Sequence, residues 1–186
     1  MQFHDELWKV ELARFADEIR AIRIRPDAEY EEIFCAERPI FYSAFIVRKL
    51  IEDVAVTDKL KSRFTTVISH ESTRGGEEIF LEPMLGLLDV KDHFDISDPK
   101  EIRISFNDLS SEIIHSDGFI WLFGDEEKAS TSPGFAVFSH RNTLKRMLVI
   151  GLDTYVGVLE EIQADKPTRW YSAKGLKTGR VTRHAE

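Results

Sequence analysis

The 186-residue sequence predicts an α+β fold, several helices packed on a small antiparallel β-meander, in a single domain. Three observations predict it. Apolar residues recur at helical spacing in the first third of the chain. Three aromatic or β-branched runs separated by turn residues fill the last third. The length suits one domain able to bury a sizeable core without a disulfide or a metal.

Trp8, Leu12, Phe15, Ile19 and Ile22 predict an amphipathic helix over 5–24, ended by Pro26. Arg20, Arg23 and Arg25 complement its dipole. Asp27 is expected to cap a second helix over 29–35, with a kink or restart at Pro39. Residues 40–54 are apolar on nearly every side and predict the most buried helix. Phe34, Phe41 and Phe45 read as its core-facing stripe, and Cys35 as a small buried hydrophobe, not a nucleophile.

Residues 57–63 predict a turn of helix and 64–69 a strand, followed by turn chemistry at Gly75-Gly76. Pro83 and Gly86 argue against a long element in 79–94, and Asp98-Pro99 makes 95–101 a loop. Ser105 with Asp108 predicts the capped start of a helix over 106–115, with Phe106, Leu109 and Ile113 inward. Residues 119–123 and 135–138 predict two strands joined by a polar connection over 125–134. A third strand follows over 144–152, and a last helix, capped by Asp153, runs to about Ala164. The aromatic strands are the expected surface for a homodimer.

Composition excludes several classes. With 42% hydrophobic residues and only 10 Gly and 6 Pro, the chain is neither disordered nor a linker. No apolar run reaches about 18 residues, so no membrane span is expected. The acidic start is unlike a secretory signal, and one cysteine permits no internal disulfide, so a reducing cytoplasm is the expected compartment. The net charge of −8 is uneven: residues 166–186 carry +5 and residues 1–165 carry −13. We therefore divide the chain into a globular domain, 1–165, and a basic C-terminal tail, 166–186. In that tail Arg169, Trp170, Tyr171, Lys174, Lys177, Arg180 and Arg183 suit base stacking and phosphate contact, or an acidic protein partner. A solvated tail, or one folded back on the acidic body, has the same composition.

Asp108, Glu112 and His115 recur at i, i+4 and i+7, within about 60° of one another on one helix face. Two carboxylates and an imidazole on one stripe suit acid/base chemistry, or a metal site. An ordinary solvated face looks the same. The helix C-terminus and Asp117 are expected to favour His115 as a cation. His140 and Arg141, at the turn after a strand, could hold a phosphate beside that helix. A composite hydrolase site requires the helix 106–115 and the turn 139–142 to share one cleft with room for a substrate, no more than about two hydrogen-bond lengths apart. Arg63 and His70 have the Arg–His spacing of helical ribonucleases of the HEPN type, a resemblance of two residues. Residues 64–69 between them prefer a strand, so it assigns no family.

Glycine-rich nucleotide loops, a nucleophile elbow and the zinc-protease motif are all missing, and no motif specifies a cofactor. The sequence reading is a non-enzymatic cytosolic interaction or binding module. Its competitor is a small nuclease-like hydrolase using Asp108, Glu112 and His115 with His140 or Arg141.

Overall fold

The computed structural model describes residues 5–73, 90–123, 134–139, 145–174 and 181–186. In chain order these form α1 (Asp5–Arg20), α2 (Tyr30–Glu52), α3 (Asp58–Lys61), β1 (Phe64–Glu71), α4 (Val90–His93), β2 (Lys100–Ser105) and α5 (Phe106–Ile114). There follow β3 (Ser116–Leu122), β4 (Gly134–Ser139), β5 (Arg146–Gly151), α6 (Leu152–Ala164), β6 (Trp170–Lys174) and β7 (Val181–Ala185). The fold is α+β, as expected. Strands β3, β4 and β5 make the meander, and β1 and β2 extend it to a five-stranded antiparallel sheet in the order β2-β1-β5-β4-β3. None of the described helices is long and apolar enough to cross a membrane.

The sheet is covered on both faces. On one, Val67, Ile104, Phe135, Val137, Leu148 and Ile150 meet Leu12, Ile19, Val47, Leu50, Leu109, Ile113 and Leu159 from the helices. On the other, Phe94 packs with Ala136, Phe138 and Met147. This two-sided burial is why β4 is buried at every position. Being paired on both sides, β4 offers no surface to a second copy; β3 is the sheet edge.

Several local expectations are corrected. α1 ends at Arg20, because Ile22 and Ile24 enter the core in alternation with outward Arg23 and Arg25, a period of two that leaves the helix. The start of α2 is capped by Glu29, whose N–H meets the Glu32 carboxylate at 3.4 Å, and not by Asp27. α2 then runs through Pro39 unbroken. An interior proline costs about 3 kcal/mol, and the burial of Ile40, Ala44, Val47 and Leu50 outweighs it. On the opposite side of α2, Phe34 and Phe45 are exposed, as is Cys35, so the stripe read as core is surface at these positions; Phe41 alone of the three packs on the core. β2 occupies part of the predicted loop, and Gly151, not Asp153, is the N-cap of α6. His70 lies within β1, so the Arg63–His70 spacing falls on a strand. Residues 124–133, 140–144 and most of 79–94 lie outside the described residues.

The basic C-terminal segment carries a hairpin, β6 paired with β7, folded against the body. Trp170 Nε1 donates to the Val54 carbonyl at 3.1 Å, Ala185 is fully buried, and His184 Nδ1 donates to Asp58 at 2.6 Å. Burial alone would raise the Asp58 carboxyl, but hydrogen bonds from His184, Lys61 and the Ala185 backbone outweigh it and hold it below its usual range. A depressed carboxylate stabilises the native state above its unfolded value, and that contribution is lost as pH falls through the folded one. The hairpin is therefore expected to loosen from α3 below about pH 4. Amide exchange in 170–174 and 181–185 measures this. In Asp58→Asn, protection at neutral pH should already be reduced, with the acid-dependent step gone; an unchanged step would sink the assignment.

Candidate polar cleft at helix α5

Helix α5 starts where Ser105 Oγ accepts the Asp108 N–H at 3.0 Å and donates to the Asp108 carboxylate at 2.6 Å. Its first turn is thereby closed by a reciprocal pair, as the sequence predicted. The helix is packed between α2 and the sheet, so Ser110, Ser111 and Glu112 are buried along with Leu109 and Ile113. The stripe read as one polar face is therefore divided among three partners. Asp108 stays with its cap. Glu112 is only 7% exposed and accepts a hydrogen bond from Ser139 Oγ at the end of β4. His115, the C-cap, faces Arg48 of α2. Among the described residues no group of three or more His, Cys, Asp or Glu side chains is gathered to hold a metal.

The Glu112–Ser139 bond joins the helix 106–115 directly to the strand end that precedes His140 and Arg141. His140 and Arg141 themselves lie outside the described residues. The Arg48 contact also fixes roles. Its Nη1 lies 2.8 Å from His115 Nε2. A guanidinium only donates, so Nε2 is the acceptor and the ring proton sits on Nδ1.

Asp108 and Glu112 line a cleft of about 560 Å³ together with Ser111, Glu52 and three arginines, Arg48, Arg103 and Arg146. The arginines differ. Arg48 is committed to Glu52 at 2.8 Å and to His115. Arg103 lies 4.8 Å over the Phe64 ring and makes no ion pair among the described residues. Arg146 enters from β5 opposite Glu71 of β1, with its Nε buried and no acceptor for the Nε hydrogen. A guanidinium with an unmet buried donor is costly, because that hydrogen has lost water and gained nothing.

These arginines were not singled out in the sequence. Each sits alone in its own segment, and only the insertion of β1 between β2 and β5 brings Arg103 and Arg146 to one cleft. One signal was present. In β5, Arg146 is in phase with the inward Leu148 and Ile150, an unusual place for a charge.

The hairpin residues divide as well. Cross-strand partners share a face, so Trp170 and Lys174 lie with Arg183, while Tyr171 stacks on His184 with ring centroids 5.0 Å apart. The Arg169 backbone pairs with Glu186. Lys177 and Arg180 lie outside the described residues. No protein-family model matches the chain, and neither a curated protein nor a solved structure matches it.

Proposed function

We propose that the chain is a binding module whose α5 cleft receives a small anionic ligand, a phosphate or carboxylate group, on Arg146 and Arg103. The observation that carries this reading is the buried Nε of Arg146, a donor with no acceptor among the described residues on a side chain that lines a polar cleft. The guanidinium fork matches two oxygens of one anion, and such charge-assisted pairs are the strong ones. Asp108 and Glu112 would then border the anion rather than react. Both already have hydrogen-bond partners, Ser105 and Ser139. The single exposed thiol of Cys35 suits a reducing cytoplasm.

The test is thermal unfolding with inorganic phosphate, pyrophosphate or citrate titrated against matched sodium chloride. A bound anion is expected to raise the midpoint progressively with the logarithm of its concentration, adding about 2.7 kcal/mol of stability at a hundred times its dissociation constant. Shifts no larger than those of chloride for all three would remove the proposal.

A second reading, a nuclease-like hydrolase, draws on the Glu112–Ser139 contact, which joins helix α5 to the strand end before His140 and Arg141. There His115 would take a proton through Nε2 once Arg48 turned from it to a phosphate, and Glu112 would orient the nucleophile. End-labelled structured RNA and DNA, incubated with wild type and His115→Ala, decide it. Cleavage lost in the variant supports the hydrolase, and no cleavage removes it for these substrates. A salt-sensitive shift without cleavage would instead assign nucleic-acid binding to the basic hairpin.

A further inference from the structure

The outer face of α2 carries exposed aromatic side chains. Tyr30 is 90% exposed, Phe34 64% and Phe45 56%, and Tyr42 is exposed beside them. At 100° per residue these four fall within about 120° of the helix circumference. A contiguous patch of this kind marks a docking face.

The patch has a shape. Beside Tyr42 and Phe45, the α1–α2 surface opens into an apolar groove of about 330 Å³, lined by Trp8, Phe15, Tyr42, Phe45 and Ile46, with Glu11 among its walls. Phe34 stands eleven residues before Phe45, about three turns or 16 Å along the axis and only about 20° around it. One helix face therefore carries a protruding ring and, three turns on, a hollow that a ring would fill.

We propose that α2 is the interface of a homodimer, in which two copies pair antiparallel about a two-fold axis level with Pro39 and Ile40. Phe34 of each copy then meets Phe45 and enters the groove of the other. The pairing is self-complementary, as a two-fold contact requires. Charge supports a second copy over an unrelated partner. The start of α2 is acidic, with Glu31 and Glu32, and the basic residue of its last turn is Lys49, beside Asp53. Antiparallel pairing sets Glu31 of one copy near Lys49 of the other, and Arg38 beside Phe41 and Tyr42. Parallel pairing would set like charges together.

The test uses sedimentation velocity on the intact chain from 1 to 200 µM. Wild type is expected to dimerise within that range, and Phe34→Asp to weaken association by about 100-fold or more, since it places a charge in an apolar hole. Phe34 is exposed, so this variant should keep its fold, checked by circular dichroism. Glu31→Lys should weaken association several-fold, and Glu31→Lys with Lys49→Glu should recover part of the loss. Cys35, the sole cysteine and exposed, gives an independent readout. In this register the two Cys35 backbones are about 16 Å apart, from nine residues of helical rise and a helix separation of about 9 Å. Nitroxide labels there should report about 15–30 Å. A monomer throughout the range would overturn the proposal. So would a dimer indifferent to Phe34→Asp, or labels more than about 40 Å apart.

Discussion

Replacing Tyr155 by alanine is expected to cost about 4–5 kcal/mol of unfolding free energy, combining a large-to-small cavity with orphaned polar groups. Tyr155 sits on α6, fully buried where α6, α2 and the sheet meet. Its ring meets Phe135 of β4 edge-on, with centroids 5.9 Å apart. Its hydroxyl lies 3.0 Å from Ser43 Oγ and donates to the Ile40 carbonyl at 3.1 Å. Burial drives the phenol well above its ordinary value, against the Ser43 hydrogen bond, so the group stays protonated and can donate. Tyr155→Phe keeps the ring and removes only the hydroxyl, which should cost about 1–2 kcal/mol by leaving Ser43 short of a partner. Urea unfolding of the two variants separates these contributions. If alanine and phenylalanine cost the same, packing at this junction is not what holds α6 to α2.

Elements whose signals are local were legible in the sequence. The Ser105 cap and the run to Ile114 need only neighbouring residues, and α5 forms where expected. β4 and β5 were equally plain, each an apolar run. β2 was not, because Lys100–Ser105 offers only Ile102 and Ile104 in alternation beside a turn, and its strand exists by pairing with β1. Helical spacing showed that Phe34, Phe41 and Phe45 share one side of α2. It could not show that Phe34 and Phe45 point away from the core while Phe41 packs on it, since that depends on where α1, α5 and α6 pack. The hairpin 170–185 was hidden for another reason: its strands are almost wholly exposed, so no inward phase marks a period of two. The site divided along the same line. Asp108 and Glu112 came from one helix and do line one cleft. The arginines facing them come from α2, β2 and β5, and only tertiary pairing assembles them.

Arg146→Met is expected to abolish the anion-dependent rise in thermal midpoint while leaving the unliganded protein as stable as wild type, or about 1 kcal/mol more stable. The two halves follow from one observation. A guanidinium whose buried Nε hydrogen meets no acceptor contributes little to the empty fold, and methionine fills the same channel without needing one. The same group, given an anion, supplies the fork and the charge at once. Arg146→Lys keeps the charge and loses the fork, so it should weaken the anion about ten-fold without abolishing binding. Arg103→Met, on an exposed strand position over Phe64, should weaken binding with little change in stability. The opposite pattern identifies a structural arginine: Arg146→Met would lower the midpoint in plain buffer, and phosphate would raise variant and wild type alike. Stability and binding therefore move in different directions only if the cleft is built for a ligand.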